Sequence, residues 1–128
     1  MYADPDFWLA LLKDDDWLSD RAESLLDEYE SDLDVSLATF IELFLVEERF
    51  TFDRERAVTA ILELATYEGD PNVVYQASEN IGDGLNTFDA FHAALSGGNI
   101  ISSDQAYGER SGVSRVRLEP DDGMDSTK

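Results

Sequence analysis

Residues 33–46 read Leu33-Asp-Val-Ser36-Leu37-Ala-Thr-Phe-Ile-Glu42-Leu-Phe-Leu-Val46. The first four residues suit a short strand. From Leu37 to about Arg49 the pattern turns helical and strongly apolar, with Glu42 the single charge between Leu37 and Val46. A strand that runs straight into an apolar helix is the repeating unit of an α/β fold, and the same alternation continues on both sides. Upstream, Met1–Ala3 suits a short buried strand, and Asp4-Pro5 supplies an N-cap with proline at the first helical position. Helices are predicted over Pro5–Leu12 and from about Asp15 to Tyr29, the latter with Leu18, Ala22, Leu25, Leu26 and Tyr29 on one stripe.

Downstream, Asp53 caps a helix that carries Ala57, Ile61, Leu64 and Ala65 and stops near Gly69. Leu64–Glu68 reads equally well as a helix end or a strand. Val73–Ile81 is helical, Gly82-Asp83-Gly84 breaks the chain, and Thr87 caps a helix through Leu95. Gly97-Gly98 precedes a strand at Asn99–Ser103, followed by a short helix around Asp104–Glu109 and a last strand at Ser114–Leu118. In that strand Arg115 and Arg117 alternate with Val116 and Leu118, as in an edge strand with one wet face. The expected architecture is an α/β sandwich around a mostly parallel sheet, as one domain over residues 1–118. Residues 119–128 read as a polar, disordered tail.

The chain has 128 residues, which suits one domain. It has no cysteine, so disulfides and thiolate metal sites are excluded. No apolar stretch approaches the roughly 20 residues of a membrane span. No basic region precedes an apolar one near Met1, so no secretory signal is expected and a cytoplasmic setting is the default. Nine Lys plus Arg face 29 Asp plus Glu, a formal charge of −20. Five Tyr, seven Phe and two Trp in periodic positions argue against disorder. A folded chain of this charge suits a salt-rich cytoplasm, where screening shortens to about 3 Å at molar salt. An acidic protein that mimics nucleic acid or docks on a basic partner is the alternative. The spread of Asp14, Asp15, Asp16, Asp20, Glu23, Asp27 and Glu28 over helix exteriors reads as a solvated surface.

In open parallel sheets ligands gather outside the carboxyl ends of the strands, which directs attention to four acids. Asp4 and Asp104 each follow a strand, and each also reads as a helix N-cap. Glu42 must lie on a narrow polar strip or be buried with a partner. Asp89, the one formally charged residue between Asp83 and Asp104, also suits a first-turn acid favoured by the helix dipole. Brought to one rim, the four would repel unless cations sat among them. Hard divalent cations want oxygen ligands, and paired ions about 4 Å apart can activate a water against a phosphodiester.

The order and surroundings of these residues resemble a known family. Met1-Tyr-Ala-Asp4-Pro-Asp6-Phe, Ser36-Leu-Ala-Thr-Phe-Ile-Glu42-Leu, Thr87-Phe-Asp89-Ala-Phe-His-Ala-Ala and Ile100-Ile-Ser-Ser-Asp104-Gln-Ala-Tyr resemble PIN-domain nucleases, in particular the VapC-type toxin ribonucleases of toxin–antitoxin pairs. The likeness spans residues 1 to about 118. It implies a three-layer α/β/α PIN-like fold with a mostly parallel central sheet. It also implies a metal-dependent endoribonuclease that hydrolyses RNA with a metal-activated water. Asp4, Glu42, Asp89 and Asp104 take the positions of the acids that ligate Mg²⁺ or Mn²⁺, and Ser103 matches the hydroxyl before the last one. Where the family has Thr or Ser after its first aspartate, this chain has Pro5. Asp6 reads as an added supporting acid or as a first-turn helix charge. The implied partners are RNA, a cognate antitoxin protein and a second copy, with no membrane. The alternatives are a catalytically inactive PIN-like interaction module and a solitary RNA-processing nuclease.

Other patterns weigh less. Asp4-Pro5-Asp6 matches the start of phosphoaspartyl hydrolases, but Lys13 and Lys128 are badly placed for the lysine those enzymes need, and receiver domains fail for the same reason. His92, three residues after Asp89, could bond that acid, although a packed or solvent-facing histidine is commoner. Asp14-Asp15-Asp16 looks like a metal-binding run, yet more often such a run starts a helix. The glycines form no phosphate cradle. Arg49, Arg54 and Arg56 cluster near one junction, with Arg110, Arg115 and Arg117 elsewhere. They could touch RNA or pair with surface acids.

Overall fold

Asp4 and Pro5 open the first helix as the sequence predicts, because the local chemistry suffices. In the computed structural model, which describes residues 1–13, 17–50, 52–110 and 113–120, Asp4 accepts from the Asp6 N–H. Pro5 occupies the first turn of α1 (Pro5–Leu12), where a missing N–H costs nothing. The second helix, α2 (Ser19–Glu28), is shorter than its apolar stripe suggests; Leu18 holds the N-cap position with no side-chain cap bond. The expected start at Asp15 and the run Asp14–Asp16 lie outside the described residues.

Leu33–Ser36 contributes β1 (Asp34–Val35), which leads directly into α3 (Leu37–Phe50). Phe40, Leu43 and Phe44, spaced i, i+3, i+4, are buried on one face of α3, each contributing about 1.5–3 kcal/mol of apolar transfer. Ala38, Glu42, Leu45 and Arg49 form the exposed strip opposite. Helix α3 is the hub of the fold: it packs against α1, α4 (Arg54–Leu64), α5 (Pro71–Gly82) and α6 (Thr87–Leu95). The Phe44 and Phe91 rings meet at 5.4 Å between centroids. Trp8, Val58, Ile61, Val74 and Ala90 belong to the same core.

Asp53 caps α4 as expected, accepting from the Arg56 N–H at 3.0 Å. Leu64–Glu68 resolves as both readings in turn: the helix ends at Leu64 and β2 (Thr66–Tyr67) follows. Helix α5 begins two residues before the expected Val73, because Asp70 caps it and Pro71 fits its first turn. Thr87 is not the cap of α6; Asn86 is, and its side chain accepts from the Asp89 N–H. Gly97 and Gly98, with φ of +70° and +106°, turn the chain into β3 (Asn99–Ser102). A short α7 (Ala106–Arg110) and β4 (Ser114–Arg117) follow.

All described strand pairings are parallel. β1 lies between β2 and a bridge at Tyr2, while β3 pairs with β4. Two small parallel pairs and the helices that connect their strands make a mixed helix–strand fold, the coarse class that the alternation predicts. The last strand overturns one expectation. Its arginines do not share one wet face: Arg117 is exposed, but Arg115 is largely buried and donates to the Ser102 carbonyl at 2.8 Å, whereas Val116 and Leu118 are 56% and 67% exposed. Glu119, expected in a free tail, accepts from Arg115 at 2.9 Å; residues 121–128 lie outside the described residues. Among the described residues no helix is long and apolar enough to cross a membrane.

Candidate functional site

Asp89 is the most constrained of the four acids. It sits in the first turn of α6, where Asn86 faces it at the spacing of a capping pair. Asn86 Oδ1 accepts from the Asp89 backbone N–H at 2.9 Å, and Asn86 Nδ2 donates to Asp89 Oδ2 at 2.8 Å. The other carboxylate oxygen, Oδ1, accepts from the Tyr107 hydroxyl at 3.0 Å. Tyr107 comes from α7, is buried, and brings a tertiary donor across 18 residues of chain. Burial first, then the hydrogen bond to Asp89 and the charges of Asp89 and Asp104, push its pKa up to about 12. The hydroxyl therefore stays a donor across the neutral range.

Asp104 lies just ahead of α7, three residues before Tyr107. Its Oδ1 accepts from the Ala106 N–H at 2.9 Å, while its own N–H donates to Ser102 Oγ at 2.9 Å. The carboxylate is exposed, and Ser103 beside it is exposed as well. One side chain thus ties two of the predicted acids together: Tyr107 bonds Asp89 and feels the charge of Asp104.

Asp4 is exposed and serves as the α1 cap, with Asp6 an exposed first-turn acid donating its N–H at 3.3 Å. Glu42 occupies the exposed strip of α3, which settles the choice between polar strip and buried ion pair in favour of the strip. Sequence reasoning missed a cluster of hydroxyls that the fold assembles. Tyr2 OH meets Ser36 Oγ at 2.7 Å and Thr39 Oγ1 at 3.1 Å, at the carboxyl end of β1.

Among the described residues no three His, Asp or Glu side chains gather closely enough to hold one ion. Asp89 and Asp104 nevertheless suit a hydrated Mg²⁺ or Mn²⁺, which takes one or two carboxylates and keeps several waters. Asp89 retains a lone pair on each oxygen after its two protein donors, since a carboxylate offers about four acceptor sites. Asp104 faces solvent. Two aspartates match in number the carboxylates that such an ion takes, water supplying the rest of its shell.

His92 is exposed on α6, the solvent-facing alternative. Three of the arginines pair with acids. Arg54 bonds Glu47, with Nε on Ser78 Oγ at 3.2 Å; Arg115 and Arg117 both reach Glu119. The hydrogen bond from Arg115 holds the Glu119 carboxyl below the usual range.

No family model matches the chain, and no curated protein is found similar to it. The functional reading therefore comes from the residues themselves. Asn86 and Tyr107 are the site residues that the sequence reading missed. Asn86 carried a local signal, three positions before Asp89. Tyr107 carried none that precedes the fold.

Proposed function

We propose that the chain is a divalent-metal-dependent endoribonuclease in which Asp89 and Asp104 hold Mg²⁺ or Mn²⁺ and Asp4 and Glu42 complete the acidic rim. The observation that carries this reading is the buried Tyr107 hydroxyl, which binds Asp89 from the helix that Asp104 introduces. The bound ion supplies a water of lowered pKa and neutralises phosphate charge. The chain's own residues hold the Asp89 carboxylate in one orientation, leave Asp104 open to solvent, and keep the Tyr107 proton in place. Phe88, directly before Asp89 and 55% exposed, offers a flat apolar surface for a base. With Arg54, Arg115 and Arg117 committed to acids, binding of RNA rests on metal–phosphate contact, on stacking of this kind and on the exposed Arg49 and Arg56.

The same proposal takes the two parallel strand pairs as parts of a PIN-like three-layer α/β/α arrangement. It places the protein in a salt-adapted cytoplasm, as the toxin of a toxin–antitoxin pair with a cognate antitoxin and a second copy as partners. RNA cleavage in molar KCl with Mg²⁺ or Mn²⁺ tests the chemistry. The native chain is expected to cut, and Asp89→Asn and Asp104→Asn to lose most of that activity. Undiminished cleavage by both variants removes the site.

A second reading is a catalytically silent interaction module. It is favoured by one observation: Asp4 and Glu42 are not drawn into a three-carboxylate group with the other pair. A folded native chain that cuts no RNA with either ion supports the module.

A further inference from the structure

We propose that Tyr107 is a positioning residue, whose hydroxyl sets the Asp89 carboxylate relative to Asp104 for a divalent cation. The inference rests on the metal reading above and adds to it the device that spaces the two acids. A tyrosine needs a partner for its O–H when buried, and any nearby backbone carbonyl would serve. Tyr107 is 4% exposed, and its hydroxyl instead donates to a carboxylate oxygen. Asn86 Nδ2 takes the other oxygen, so rotation of the Asp89 carboxyl group is restrained from both sides. Neither donor lies in the strand that leads to Asp104, yet Tyr107 belongs to the helix that follows it. The Ala106 N–H that holds Asp104 Oδ1 is adjacent to Tyr107 in the chain. The first turn of α7 therefore grips both acids, Asp104 through the backbone and Asp89 through the phenol. Such supporting donors orient metal-binding carboxylates, and their loss typically weakens metal binding by about 10–100-fold.

A structural tether between α6 and α7 would use the same bond, and the two roles separate in a metal titration. Mn²⁺ binding to the full chain is measured by electron paramagnetic resonance in molar KCl, well below the melting temperature of each variant. The native chain is expected to bind, Asp89→Asn to lose the site, and Tyr107→Phe to bind about 10–100-fold more weakly. A Tyr107→Phe chain that melts lower but binds Mn²⁺ as tightly as native overturns the positioning role and leaves the metal site standing. A native chain that binds no better than Asp89→Asn overturns the metal reading, and the role with it. Asn86→Ser is the second variant. Serine keeps the cap oxygen of α6 but lacks the Nδ2 donor, so weakened Mn²⁺ binding supports restraint from both sides even if Tyr107→Phe does not fold.

Discussion

At the residue scale the Tyr107 hydroxyl ties folding to proton binding. Its ordinary pKa of 10.0 rises to about 12 in the folded chain, with burial the first cause. A raised pKa means the folded state holds the proton more tightly than the unfolded one. The resulting stabilisation is complete below pH 10 and fades as pH climbs toward 12. In chelator-containing buffer, urea midpoints of the native chain are expected to fall more steeply over that interval than those of Tyr107→Phe. Parallel slopes would show that the phenol titrates alike in both states. Arg54 supports a different prediction. Half-buried, it bonds Glu47 on α3 and reaches both Oγ and the carbonyl of Ser78 on α5. Arg54→Met keeps most of the stem but strands Glu47, and hydrogen bonds to charged groups contribute about 1.5–3 kcal/mol. A loss of that size is expected in urea unfolding, and an unchanged midpoint would show that Glu47 is rescued by water.

At the element scale, what could be read from sequence was what local chemistry decides. Asp4-Pro5 and Asp53 cap their helices because an acid followed by a free N–H two or three residues on needs no distant partner. Sequence alone does not separate Asn86 from Thr87 as the cap of α6, because both side chains are competent. The tie breaks on Asp89, whose backbone N–H and carboxylate both meet Asn86. Leu64–Glu68 stayed undecided because β2 exists only through pairing with β1, as when the Thr66 N–H finds the Leu33 carbonyl at 2.7 Å. The link between Asp89 and Tyr107 was likewise invisible, since nothing in an 18-residue separation announces it. β4 misled for a related reason. Alternation identifies two faces but not which one is covered, and the register that sets Ile101 beside Val116 leaves both exposed. Val116→Thr keeps the β-branch and is expected to change stability by no more than about 0.5 kcal/mol. Phe91→Ala, which empties the α3–α6 contact, is expected to cost about 3–5 kcal/mol. A large penalty for Val116→Thr in thermal melts would mean that this sheet face is covered in solution.

At the scale of the whole molecule, charge opposes compactness. The formal charge is −20, and α2 shows how it is carried: Asp20, Glu23, Asp27 and Glu28 face solvent while Ala22 alone of that helix is buried. Such carboxylates repel through water over about 10 Å at 0.1 M salt and about 3 Å at 1 M. The ions that screen them act less on the half-buried Arg54–Glu47 pair, so added salt relieves repulsion faster than it weakens the interior attraction. The melting temperature is therefore expected to rise as KCl is raised from dilute to molar, and to do so with NaCl as well, because screening depends on ionic strength rather than on the ion. Arg54→Met should keep that rise, since its defect is local. A melting temperature that stays level with KCl would mean that the surface acids are already compensated in dilute buffer, and the case for a salt-adapted chain would then lose its physical basis.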